Sequence, residues 1–218
     1  MPQTTALPLS QKVEPETTAL LVVDVQNDFC HGDSAMAKSG SDVSAAQEMV
    51  PRLLLLVDAA RGAGASLIWI RTTHDKVTTS EVWHEQHQRN KPGSPLNCQP
   101  DTWGAEFYRV EPEADEPIVT KHRYSAFVGT DLDLILRSRG IRSVILSGVA
   151  TNVCVESTAR DAFMRDYYVT FVDDCSAAYD PAKHAATLRN INDHFGVVVR
   201  SAEIVAAWRD QASKSSQG

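Results

Sequence analysis

Cysteine is scarce in this chain, with four among 218 residues, too few for disulfides to hold the fold together. No two of them form a Cys-x-x-Cys pair, which argues against a zinc ribbon or a dithiol redox motif. Basic residues are outnumbered, 21 Lys and Arg against 28 Asp and Glu, leaving a net charge of −7. Nucleic-acid binding, which needs a basic face, is therefore not expected. No apolar run approaches the roughly 18 residues that a membrane helix requires, so no membrane partner is expected. Residues 1–12 carry no basic region followed by an apolar stretch, hence no secretory signal, and a cytoplasmic location is expected. Aromatics are only 7%, so the core should be aliphatic. What is present, 43% hydrophobic and 22% charged residues, is ordinary for a globular chain. The length suits a single domain.

The main pattern is an alternation of short apolar runs with helical segments. Thr18–Asp24, Ser66–Arg71, Pro117–Lys121, Ser143–Ser147, Tyr168–Asp173 and Val197–Arg200 read as six strands. Continuous apolarity, rather than alternation, marks strands buried on both faces. Between them, Pro51–Gly62, Thr130–Gly140, Val155–Phe163 and Asp180 to about Asn192 read as helices. Pro51 is placed at a first helical position, Thr130 as an N-cap, and Gly62 and Gly140 as terminators. Glu156 and Arg160 are spaced for an i,i+4 pair. The expectation is an α/β protein, a three-layer α/β/α Rossmann-like fold with a six-stranded, mainly parallel sheet. Residues 74–116 are polar, carry four prolines and lack a long periodic pattern, and read as a lid or pocket wall. Residues 1–15 and 213–218 read as tails of this one domain.

Parallel sheets bind ligands beyond the carboxyl ends of their strands, where the strand order reverses. The residues gathered there include Asp24, Lys121 and Cys154: a carboxylate, an ammonium and a thiol. A thiol in the first turn of a helix faces unpaired N–H groups and the positive dipole end, which favours thiolate, and Lys121 would favour it further. Asp24 then serves as general base and acid. Each residue also has a plainer reading: Cys154 as core packing, Asp24 as a loop cap, Lys121 as a surface lysine. Cys30, Cys98 and Cys175 have no comparable setting. For substrate contacts the candidates are Asn27, Phe29, Trp83 and Tyr124. Their alternatives are a turn residue, a core phenylalanine, a loop anchor and a packing tyrosine. Between Arg71 and Arg123 stand seven basic and nine acidic residues, so no general attraction for anions follows, although Arg71 or Arg123 suits a single carboxylate.

Val23–Phe29, Lys121–Phe127 and Gly148–Ala162, with its Gly-x-x-Thr-Asn-x-Cys-Val element, resemble the isochorismatase-like cysteine hydrolases over about residues 17 to 205. Within that superfamily the run from Arg123 to Phe163 is most similar to ureidoacrylate amidohydrolases, and also to biuret hydrolases and N-carbamoylsarcosine amidohydrolases. The resemblance implies an Asp–Lys–Cys triad at Asp24, Lys121 and Cys154. It further implies a cis peptide between Val149 and Ala150 and an oxyanion hole made of the Ala150 and Cys154 N–H groups. It also implies a homo-oligomer, dimer or tetramer. The Asp-x-His metal element of nicotinamidases is not matched by Arg71-Thr-Thr-His-Asp75, so neither metal nor cofactor is expected. The cysteine, absent from isochorismatases that cleave a vinyl ether, points to amide chemistry: a small ureido, carbamoyl or amide substrate cleaved at C–N through a thioester. A thiol-based redox sensor and a non-catalytic binding protein are the alternatives.

Overall fold

The computed structural model describes residues 6–215. Elements follow in the order α1 (Leu9–Lys12), β1 (Thr18–Val23), α2 (Asn27–Cys30), α3 (Ala35–Lys38), α4 (Ser44–Ala63), β2 (Ser66–Thr72), α5 (Glu81–Asn90), β3 (Ile118–Lys121), α6 (Leu132–Ser138), β4 (Ser143–Val149), α7 (Glu156–Phe163), β5 (Tyr168–Ala177), α8 (Pro181–His194), β6 (Val197–Val199) and α9 (Ser201–Ser215). All six strands are parallel, in the order β3-β2-β1-β4-β5-β6. The chain winds outward from β1 to β3, then returns to β4 beside β1 and winds the other way. The order therefore reverses between β1 and β4, where a ligand crevice forms.

The continuous apolar runs are explained by burial on both faces. Ala19, Leu21 and Val23 of β1 enter one core with residues of α6, α7 and α8, whereas Leu20 and Val22 enter the other with α4 and α9. All five are fully buried. Burying each leucine or valine contributes about 1.5–3 kcal/mol. The β1 and β4 backbones approach closely at Gly148, which pairs with Val23 at φ 110°; a Cβ there would lie 2.0 Å from the Val23 carbonyl oxygen. Only glycine meets both conditions.

Several boundaries differ from the sequence reading. Helix α4 begins at Ser44, seven residues before Pro51, which sits inside it; Gly64, at φ 76°, terminates it in place of Gly62. Asp42 supplies the start signal, its carboxylate accepting from the Ser44 N–H. Helix α6 starts at Leu132 with Asp131, not Thr130, at its N-cap; Thr130 Oγ1 accepts from the Leu132 N–H one residue further out, and Gly140 is left-handed after the helix ends. Strand β5 continues to Ala177, past Asp173. The proposed tails are partly packed. Trp208 of α9 donates its indole N–H to the Val13 carbonyl at 2.6 Å, and Gln211 donates to Ser10 O at 2.8 Å, so α1 and α9 hold each other beside the start of β1. The remainder of those tail readings, residues 1–5 and 216–218, lies outside the described residues. Among the described residues no helix is long and apolar enough to cross a membrane.

Candidate active site

Asp24 follows the last residue of β1 and adopts φ 53°, which turns its carboxylate into the crevice. Lys121 ends β3, and both side chains are buried. Lys121 Nζ lies 2.7 Å from Asp24 Oδ2, 3.0 Å from the Arg123 carbonyl and 3.5 Å from Cys154 Sγ, so each of its three N–H bonds has a partner. Burial pulls the ammonium down in pKa, but Asp24 and the cysteine outweigh it and leave it raised. The Asp24 carboxyl group is fully buried and faces the Cys154 thiol as well as Lys121.

Cys154 lies in a π-helical turn, Thr151–Val155, immediately before α7. Its thiol is raised in pKa, where the sequence reading expects it lowered. Burial pushes it up to about 12; Lys121 opposes this and Asp24 adds to it. The helix dipole offers only about half a charge at this turn, whereas desolvation of a fully enclosed thiolate is the larger effect. Thr158 ties this turn to the loop after β3: its hydroxyl donates to the Cys154 carbonyl at 2.7 Å and accepts from the Ala126 N–H at 3.1 Å. On the other side Thr151 contacts His184 Nδ1 at 2.9 Å, and His184 Nε2 contacts Asp173 Oδ1 at 3.0 Å. The Val149–Ala150 peptide is cis.

Lys121, Ala150 and Cys154 open onto a cavity of about 190 Å³. Phe29, Trp83 and Tyr124, the candidates for substrate contact, line it. Trp83 belongs to α5, stacks near His74 and packs on Tyr124 with ring centroids 4.6 Å apart. Arg123 lies over the Trp83 ring and donates to the carbonyls of Thr78 and His122. Burial and the neighbouring Cys154 raise the Tyr124 phenol.

Asn27 does not line this cavity. Its amide donates to the Trp103 carbonyl at 2.9 Å, which makes it an anchor of the 74–116 segment instead of a substrate contact. Its neighbour Gln26, which the sequence reading passed over, is fully buried and does more. Its amide donates to Thr72 O and Ala105 O at 3.0 and 2.8 Å and accepts from the Thr72 N–H at 2.8 Å, joining β1, β2 and the lid. Tyr179 also lines the cavity, with its hydroxyl donating to Phe29 O. It follows the true end of β5 by two residues, so the strand-end rule finds it once β5 is read to its full length.

Among the described residues no three His, Cys, Asp or Glu side chains gather in a group able to hold a metal ion. The strand-two candidates are engaged elsewhere. Asp75 accepts from the N–H groups of Val77 and Thr78, His74 contacts Asn97 O and His87 contacts Ser94 O.

Comparison with known proteins agrees with this architecture. The isochorismatase domain model matches residues 18–203. A ureidoacrylate amidohydrolase RutB of Methylorubrum extorquens is 36% identical over 220 residues, covering 93% of this chain and 89% of that protein. A cysteine hydrolase from Pseudomonas syringae pv. phaseolicola superposes with a TM-score of 0.81 at 29% identity, over 91% of this chain and 95% of the other. N-carbamoylsarcosine amidase from Thermoplasma acidophilum superposes with a TM-score of 0.69 at 28% identity, over 85% and 96%.

Proposed function

The chain belongs to the isochorismatase family, and from that premise we propose that it is a cysteine-dependent amidohydrolase of small ureido, carbamoyl or amide compounds. The observation that carries this reading is the contact between one ammonium, one carboxylate and one thiol at the floor of a cavity, with Lys121 Nζ at 2.7 and 3.5 Å from the other two. Two related proteins act on substrates of this type by name, ureidoacrylate in one case and N-carbamoylsarcosine in the other.

Each residue has one job. Asp24 accepts the Cys154 proton as sulfur attacks the carbonyl carbon, and Lys121 holds the thiolate and the carboxyl group in place throughout. Burial holds the Cys154 thiol up in pKa, which calls for a base beside it, and Asp24 is the buried carboxyl group at hand. The N–H groups of Ala150 and Cys154 receive the oxyanion; losing one such donor typically costs about 10²–10³ in rate. As the C–N bond breaks, Asp24 returns its proton to the departing nitrogen, leaving a thioester. Water then adds to the thioester while Asp24 takes its proton, and the Cys154 thiol is regenerated as the acid or carbamate leaves. No metal enters this scheme. A redox-sensor reading is disfavoured because sensor cysteines are exposed and thiolate-like, and Cys154 is neither.

The test is ammonia release across a panel of ureido, carbamoyl and simple amide compounds, with Cys154→Ala as control. Turnover lost in the variant, together with an acyl adduct on Cys154 seen by mass spectrometry, supports the reading. Turnover retained by Cys154→Ala overturns it.

A further inference from the structure

We propose that His184 and Asp173 are positioning residues for the hydrolysis, acting through Thr151 on the turn that carries the oxyanion donors and the nucleophile; the proposal rests on the amidohydrolase reading. Three groups stand in line behind the cavity. Asp173 Oδ1 in β5 lies 3.0 Å from His184 Nε2, and His184 Nδ1 in α8 lies 2.9 Å from the Thr151 hydroxyl. A carboxylate only accepts, so it takes the Nε2 proton and leaves Nδ1 as an acceptor. The Thr151 hydroxyl therefore donates to the ring. Carboxylate, imidazole and hydroxyl are also the parts of a hydroxyl nucleophile and its base. That use is excluded here. Thr151 is fully buried and does not line the cavity, whereas Cys154, three residues on, does. The line holds a residue in place and attacks nothing.

What it holds is the entry to the π-helical turn. Thr151 opens that turn and directly follows Ala150. The Ala150 carbonyl accepts from the N–H groups of Val153 and Val155, at 3.0 and 3.3 Å. Those bonds fix the shape of the turn, and the bond to His184 fixes its place against α8 and β5. Oxyanion donors act only when they stand about 2.7–3.1 Å from the developing charge, and a shift near 1 Å can cost about 10²-fold in rate. The two proposed donors, the N–H groups of Ala150 and Cys154, flank Thr151 in sequence, so a shift at this residue moves both. A second bond from α8 is separate. The Thr187 hydroxyl donates to Glu156 Oε2 at 2.5 Å, at the start of α7. It keeps α8 docked when His184 is shortened, and the His184 side chain is partly exposed, so its removal is a local change.

The test measures kcat and KM on the best substrate of the ammonia-release panel. Thr151→Val keeps the shape and removes the hydroxyl; kcat should fall about 10- to 100-fold, with KM within about threefold of wild type. Thr151→Ser keeps the hydroxyl and should stay within about threefold in both. His184→Ala should match Thr151→Val, and the double variant should lose no more than either alone, because both cut one bond. Asp173→Ala should cost less than His184→Ala, since the imidazole remains, and should add nothing to it. Thr187→Val is the control for loosening of α8: it should lower the melting temperature while kcat stays within about threefold. If Thr151→Val does not fold, His184→Ala and its comparison with Thr187→Val decide. Unchanged kcat in Thr151→Val or His184→Ala, an effect confined to KM, additive losses in the double variant, or an equal fall of kcat in Thr187→Val overturns the positioning role and leaves the amidohydrolase reading standing. A wild-type protein that hydrolyses nothing in the panel overturns that reading and the proposal with it.

Discussion

The floor of the cavity and its lid are built on different principles. Asp24, Lys121 and Cys154 stand at the ends of three strands of one sheet, buried, with every Lys121 N–H bond matched. The lid, residues 74–116, has one helix of any length, α5, with no fully buried residue in it. It is attached by a few polar ties: Gln26 to Ala105, Asn27 to Trp103, Asp28 to Cys98, and Glu116 to Arg61. The floor is fixed by the packing of the whole sheet, whereas the lid is held by these polar ties together with Tyr108 and Val110, which enter the core beside β1 and α4. Chemistry is therefore expected to depend on the first and substrate choice on the second.

The largest expected effect is on the floor. Cys154→Ala should lower kcat by at least about 10⁴-fold with the fold intact by circular dichroism; a smaller loss would place the nucleophile elsewhere. Asp24→Asn should cost comparable activity and, by leaving Lys121 buried without its counter-charge, about 3–5 kcal/mol of stability measured in urea. Gln26→Ala stands between the two regions. Removing its amide unpairs two carbonyls and one N–H, so about 2–3 kcal/mol and a raised KM are expected; unchanged urea midpoints would show that the lid is held by something else. Trp83→Ala should raise KM about tenfold while kcat and melting temperature move little, because Trp83 packs on Tyr124 within the lid wall and not in the core. A large fall in kcat instead would erase the distinction between floor and lid.

A separate effect concerns pH. Cys154 and Cys175 are pushed up to about 12 from 9.0, and Cys98 and Tyr179 are raised as well. Up to about pH 9 these groups are protonated in both folded and unfolded chains. Above it the unfolded chain ionises first, so stability should fall steadily from pH 9 towards 12. A melting temperature that stays flat between pH 8 and 10.5 would contradict the enclosure of these groups.

Legibility in the sequence follows the same division. The strands were readable because burial on both faces leaves an unbroken apolar run, and the three reactive residues because strand ends are where such sheets do chemistry. Helix α5 was not readable: it buries no apolar stripe, so there is no period to see, and only Ser80, whose hydroxyl accepts from the Trp83 N–H, marks its start. The start of α4 is hard to place from sequence because Pro51 is a strong local signal for a first turn, while the N-cap residue itself, Val43, carries no capping side chain. Asn27 was assigned to substrate because side-chain direction within a four-residue helix is set by tertiary contacts with Glu106 and Trp103, far away in sequence. The Cys154 thiol was read as acidic because a dipole is local and visible in sequence, whereas enclosure depends on the finished cavity.

The bonds from Trp208 to Val13 and from Gln211 to Ser10 set α1 and the far part of α9 against one another at the amino end of β1. The cavity opens at the carboxyl ends of the strands, the opposite side of the sheet. A tether fixed beyond either helix would thus hold the molecule with its cavity facing away from the support.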